Sequence, residues 1–357
     1  MPCDEQIRHR HGQRGAATLV ITVLLLFSLS LMLLYAARVG VVEQRLAAND
    51  AQARAASAAA QAGLERLLAD LAGLDRGAVA YDAAGRATVV VRAGTLPNGS
   101  AYSAEAHNRG LAAYQTDLLR LEARGTTGPG GGTRTLTQLA AFAPLLPNPP
   151  PAPLVVRGDL VTEPTLALAN PEGPAAWLGG AYSPGTGDAD THLSDPAACP
   201  PLGICAEDAR LADLTPEVFF ENTFGRTPAV LRAMARIASC AACDLAALPT
   251  EWELVWLDNA GAAVTPAAGA LGTEDRPVVA VVAGDFAPAG PLQIHGLLFV
   301  LGDWLAGGAA LRVEGAVLVA GDAVAGGPAQ LNRHAGILDA LQARGRYGTV
   351  PGSWSDF

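Results

Sequence analysis

Residues 16–37, AATLVITVLLLFSLSLMLLYAA, contain no charged side chain. As a helix this run is about 33 Å long, enough to cross the hydrocarbon core of a bilayer. Arg8, Arg10 and Arg14 precede it, which keeps the N-terminus cytoplasmic and places everything after Ala37 outside. A secretory signal peptide is the first competitor, but its apolar core is about 7–15 residues and ends in a small-residue cleavage site. The run here is longer and passes without a turn signal into a helical pattern, which predicts a retained helix.

That helical pattern is VGVVEQRLAANDAQARAASAAAQAGLERLLADLAGLDRG, rich in Ala, Arg, Glu and Gln. Leu64, Leu67, Leu68 and Leu71 fall at i, i+3, i+4 and i+7, an apolar stripe that must pack on something. Gly73 and Gly77 are candidate stops and Gly40 a candidate bend. A helix from Ala16 to Leu74 would be about 90 Å long. Residues 78–145 read as strands: Thr88–Val91, and then Leu118–Ala123 and Thr135–Phe142 on either side of the glycine-rich loop GTTGPGGG. The run PNPPPAP at 147–153 predicts a semi-rigid extended spacer and a domain boundary.

A repeat follows. Val155-Val156-Arg157-Gly158-Asp159-Leu160 recurs as VVAGDF ending at Phe286, FVLGDW ending at Trp304 and LVAGDA ending at Ala323. Leu292-Gln293-Ile294-His295-Gly296 and Leu311-Arg312-Val313-Glu314-Gly315 repeat in a second phase, with apolar and polar residues alternating. The strands after them, LLFVLGD and AVLVAGD, are apolar on both faces and need a cover. Strand, Gly-Asp turn and strand at a period of 18–19 residues predict a parallel β-solenoid over residues 154–357. The long gap after the first repeat predicts an insertion at about 185–270 between coils. It would carry a helical stretch Pro216–Ala238 and a strand Trp252–Leu257. Gly336–Arg344 predicts a short helix near the end.

Composition excludes some functions. A formal charge of −10 argues against nucleic acid as a partner. All 24 basic residues are Arg, a compositional bias that also discounts the abundant Ala and Gly as structural signals. No G-x-S-x-G, H-E-x-x-H or P-loop is present and the six histidines are scattered, so neither an enzyme nor a cofactor is expected. Cys199, Cys205, Cys240 and Cys243 lie beyond the membrane, an even number that predicts disulfides in an oxidising compartment. Four thiolates holding zinc, or a redox CxxC, are the alternatives. Asp159, Asp285, Asp303 and Asp322 could form a ladder for Ca²⁺, but Asp is also favoured in tight turns by its local hydrogen bonding, and the turn is the expected role. Arg157-Gly158-Asp159 spells a receptor-binding tripeptide, yet a turn explains all four Gly-Asp pairs and the receptor only one.

The basic leader ends in Gly15 and the apolar run begins at Ala16, so cleavage between them would leave the whole helix on the mature chain. This arrangement resembles the class III leader of type IV prepilins, and QRGAATLVITVLLLFSLSLMLLYAARVGVVEQRLAANDAQARAASAAAQAGLE resembles the N-terminus of PilX-type pilus assembly proteins. The Gly-Asp block, FFENTFG and VPGSW resemble the same proteins. The resemblance implies a leader at 1–15, a transmembrane and stem helix at 16–76, a pilin-like antiparallel head at 77–146, the linker and the solenoid. It implies processing at Gly15 and Ala16 by prepilin peptidase, stem packing through Val20, Leu24, Phe27, Leu31 and Leu34, and partners that are other pilins, minor pilins and inner-membrane lipid. The implied function is that of a minor pilin at the tip or in priming of a type IV pilus, its outer domains periplasmic. Most pilins carry Glu where this chain has Val20. A plain single-pass anchor, a type II secretion pseudopilin and a membrane-anchored solenoid adhesin or carbohydrate-active enzyme are the alternatives.

Overall fold

The computed structural model describes residues 9–74, 79, 92–108, 118–128, 131–162, 166–184 and 203–356, with stem side chains from Thr18 onward. The expected strand at Thr88–Val91 and the residue Cys199 lie outside these ranges. Helix α1 (His9–Leu71) runs unbroken through Gly15 and Gly40 for 63 residues, about 95 Å. Its last turn is closed by Ala72 N–H to Leu68 O and Leu74 N–H to Leu71 O.

The outer part of α1 buries Ala56, Ala59, Ala60, Leu64, Leu67 and Leu71, while Leu68 sits at the edge of the contact. These positions repeat every three or four residues, so they share one helix face. Full burial of each leucine contributes on the order of 2 kcal/mol. The face lies on an antiparallel sheet of β1 (Arg92–Thr95), β2 (Ser100–Asn108), β3 (Leu118–Thr127) and β4 (Thr133–Pro144), paired in that order. Ala104, Ala106, Leu119, Leu121, Ala123 and Leu136 meet it from the sheet.

The next part of the chain is parallel. Strands β5 (Leu154–Val156), β6 (Leu160–Thr162) and β7 (Leu166–Ala169) are followed by β8 (Ala176–Leu178), β9 (Tyr182–Pro184) and β10 (Ile204–Cys205). Three helices come next, α2 (Ala209–Ala212), α3 (Pro216–Phe224) and α4 (Pro228–Met234). Then come β11 (Arg236–Ser239), β12 (Leu254–Asp258), β13 (Gly269–Leu271), β14 (Val278–Val282), β15 (Leu292–Val300), β16 (Leu311–Val319), β17 (Ala323–Ala325) and β18 (Ala329–Asn332). Strands β15 and β16 pair residue for residue, Leu292 with Leu311 through Val300 with Val319, so the sequence repeat is a spatial one.

The expected insertion between coils is corrected by the strand order, β10-β8-β5-β16-β15-β14-β12-β11. The first repeat stacks on the last: Leu154, Val155 and Val156 pair with Val317, Leu318 and Val319. Strands β11, β12 and β13 therefore belong to the same stack and are not part of an insertion. The predicted helix Pro216–Ala238 is likewise divided. It breaks at Gly225, whose φ of +63° favours glycine, and the chain from Arg236 onward is strand β11.

Two cores flank the parallel strands. Leu298, Val300, Val317, Val319, Phe286 and Trp304 fill the inside of the stack. On the outer face Val281, Leu297, Phe299 and Leu318 are covered by Phe219, Phe220 and Phe224 of α3 and Leu231 of α4, together with Leu338 and Leu341 of α5 (Ala335–Ala343). This is the cover that the doubly apolar strands require. Phe299 stacks 4.9 Å from Phe220, 5.4 Å from Phe219 and 5.5 Å from Phe224, ring centre to ring centre.

After α5 the chain returns to the first sheet. Strands β19 (Gly345–Thr349) and β20 (Ser355–Asp356) both pair with β4, so the antiparallel sheet is completed from the far end of the sequence. Tyr347 packs edge-on to Phe142 at 5.2 Å. The proline run is also less of a spacer than its composition implies. Gln342, Arg333 and Asn170 donate side-chain hydrogen bonds to the carbonyls of Pro147, Pro150 and Pro151, which hold it against the parallel strands and α5.

Candidate functional site

Among the described residues, the inner half of α1 packs on nothing. Val20, Leu24, Phe27, Leu31 and Leu34 are between 51% and 62% exposed, and the residues between them are equally bare. Between Thr18 and Ala37 the helix carries no charge on any face, the pattern of a segment surrounded by lipid or by other helices. Gly15 and Ala16 lie in the helical backbone of this segment.

The four Gly-Asp turns form a ladder. The Oδ1 atoms of Asp285, Asp303 and Asp322 accept the N–H of Asp303, Asp322 and Asp159 at 2.9, 2.9 and 2.8 Å, and Asp159 Oδ1 accepts the N–H of Ala181 at 2.7 Å. A Cβ at Gly302, Gly321, Gly158 or Gly180 would overlap the carboxylate of the turn before it. Each turn thus needs Asp to accept the next amide, and each position after the first needs Gly to let that carboxylate pass. The carboxylates serve the backbone, and no group of three or more His, Cys, Asp or Glu disposed to hold a metal occurs among the described residues. Arg157 belongs to the same framework: its guanidinium donates to the carbonyls of Ala320, Ala212 and Leu214.

Cys240 and Cys243 are joined by a disulfide, with Cα atoms 4.7 Å apart, at the end of β11. Cys205 is also disulfide-bonded. Asp208 caps α2 and accepts from Arg210 and from Trp177 Nε1. Its pKa is lowered to about 2, first by the Arg210 side-chain hydrogen bonds. Sequence reading missed a cleft of about 230 Å³ between the two sheets, lined by Arg226, Arg236 and Arg346 among others. Burial pushes the Arg226 pKa down.

A bare apolar half-helix continuous with a half docked on an antiparallel sheet fits a single-pass, membrane-anchored, pilin-like protein. Residues 14–65 match the PilX N-terminal family, so the stem is of PilX type and related to type IV pili; the match ends within α1. Among solved structures, the competence-associated pilin ComZ from Thermus thermophilus aligns at 12% identity with a TM-score of 0.29, over 87% of this chain and 98% of that one. No curated protein matches the sequence.

Proposed function

We propose that this protein is a minor pilin-like subunit that works by assembly, at the tip or in the priming complex of a type IV pilus. The observation that carries the reading is the division of α1. One half is buried on its own head sheet, while the other exposes Val20, Leu24, Phe27, Leu31 and Leu34 with no partner among the described residues. In the inner membrane those side chains face lipid, and in a filament they face the stems of other pilins. Prepilin peptidase cuts after Gly15 and frees the amine of Ala16, and the head and the parallel stack, a β-solenoid, stand in the periplasm.

Val20 supports the end position. By resemblance to ordinary pilins, the Glu at this place pairs with the N-terminal amine of a neighbour, and a charge inside an apolar stem is costly unless paired. A valine offers no such carboxylate, so the subunit fits one terminal place better than repeated places along a shaft. The large exported part would also crowd a lattice of small heads. N-terminal sequencing of the membrane-extracted protein should begin at Ala16, and Gly15→Leu should leave the chain uncut. Quantitative labelling of sheared filaments should find one or a few copies at an end. A mature start at Met1, or dense labels along the shaft, would falsify the reading.

A further inference from the structure

The cleft between the sheets is unusual for an acidic chain. Its lining includes Arg226, Arg236 and Arg346, and none of the three has a carboxylate partner among the described residues. Glu253 on the same wall is engaged by Arg344 at 3.6 Å, which leaves the exposed Glu251 as the other acid among the described lining residues, beside three arginines. Arg226 donates to the carbonyl of Ala143 at 3.2 Å, a contact that fixes its head group without neutralising it. A partly desolvated charge without a counter-charge is unfavourable, and an incoming carboxylate relieves it.

The backbone around the cleft has open capacity as well. Arg236 is the first residue of β11, the terminal strand of the parallel sheet. Cys240 N–H bonds Asp258 O on the inner side of this ladder. By the alternation of a parallel pair, Ile237 and Ser239 turn their N–H and C=O groups to the free edge. Beside that edge Ile237 is 53% exposed and Met234 44%, so apolar side chains of an added strand would find contact. Edge strands of this kind are templates for an extended peptide.

We propose that the cleft and the free edge of β11 bind an extended acidic segment of a partner protein. Its carboxylates pair with Arg226, Arg236 and Arg346, and its backbone hydrogen-bonds the outward groups of Ile237 and Ser239. The geometry disfavours a nucleic acid, whose many phosphates would meet a surface of formal charge −10 outside a cleft that holds only a few anionic groups.

The test uses the full chain in detergent micelles and a fluorescein-labelled hexapeptide of alternating valine and glutamate, read by anisotropy, with the valine–lysine hexapeptide as control. The glutamate peptide should bind, weaken as salt rises and bind far better than the lysine peptide. The double variant Arg236→Gln, Arg346→Gln should lose about tenfold or more in affinity, because charge pairs at an interface carry that much coupling. Ser239→Pro removes an outward N–H that the parallel ladder does not use, a change that edge strands tolerate, and should weaken binding while leaving thermal unfolding in place. Equal binding of both peptides, no binding at millimolar peptide, or wild-type affinity in the folded double variant would each overturn the proposal, and undiminished binding to Ser239→Pro would overturn its strand-addition half. The assay is independent of processing at Gly15, so its failure leaves the pilus reading standing, and failure of that reading leaves the cleft standing.

Discussion

Asp303 Oδ1 accepts the backbone N–H of Asp322 at 2.9 Å and occupies the space that a side chain on Gly321 would need. One carboxylate therefore sets two residues of the next turn, and the arrangement recurs from Asp285 to Ala181. The ladder crosses from Asp322 to Asp159 although these are 163 residues apart in the chain. It registers the stack where the peptide chain itself does not.

Substitutions in one turn should separate the roles. Asp303→Asn keeps an acceptor oxygen and should cost little, whereas Asp303→Ala leaves the Asp322 amide without its partner and should cost about 1 kcal/mol. Gly321→Ala should cost more, about 2–3 kcal/mol, because its Cβ meets both the Asp303 carboxylate and the Gly302 carbonyl. Urea denaturation of the three variants gives the order. Chelators should leave the midpoint unchanged, since the carboxylates serve amides; a drop on adding EDTA would restore the calcium reading.

The local patterns were legible where periodicity carries the information. The stripe Leu64, Leu67 and Leu71 announced a docked stem, and the doubly apolar LLFVLGD and AVLVAGD announced the cover that Phe219, Phe220, Leu231 and Leu338 provide. The neighbour of β16 was not legible. Leu154-Val155-Val156 is as apolar and β-branched as any coil strand, and nothing local distinguishes stacking on Phe286's coil from stacking on Ala323's. Strand β19 was hidden for another reason: in Gly345–Thr349 only Tyr347 faces the core, so the alternation that marks a strand is nearly absent. The cleft arginines lie far apart in sequence, in a chain whose every basic residue is Arg, and no motif joins them.

Acid should loosen the region around α2. Asp208 Oδ1 accepts the Arg210 N–H at 3.0 Å and its Oδ2 accepts Trp177 Nε1 at 3.0 Å, with the Arg210 guanidinium on both oxygens. Its folded pKa of about 2 lies below the unfolded value, so the folded state binds fewer protons through this group. The stabilising contribution is complete above the unfolded pKa of about 3.9 and disappears as pH falls through the folded one. Asp208→Asn should lower Tm at pH 7, and the gap from wild type should close between about pH 4 and pH 2. A gap that stays constant over this range would show that the charge is not what matters.

The Cys240–Cys243 bridge closes a short loop, so its effect should be modest. For a loop of about four residues, chain entropy gives about 2 kcal/mol. Cys243→Ser should lower stability by that amount while β11 persists, because Thr265 N–H and Ala267 N–H still bond the carbonyls of Cys240 and Cys243. Peptide mapping without reductant should find no free thiol at either position. Two alkylatable thiols released together with one zinc would contradict the bridge.

The join between stem and head depends on a missing side chain. A Cβ on Gly125 would collide with the Ala56 carbonyl and the Ala60 amide of α1, so β3 approaches the helix backbone as closely as a glycine permits. The helix answers with small residues, since Ala56, Ala59 and Ala60 are fully buried at this contact. Gly125→Ala should force the sheet off the stem and cost about 2–3 kcal/mol, the usual range for overpacking a closed contact. Gly132, in the loop between β3 and β4, provides the control: its Cβ would have its nearest neighbour at 3.7 Å, so Gly132→Ala should change stability by no more than about 0.5 kcal/mol. Denaturation with limited proteolysis of the full chain in micelles separates the two, because a lifted head exposes α1 near Ala56 in the first variant and not in the second. Equal behaviour of the two variants would mean that the stem–head contact tolerates a wider spacing than these backbones show.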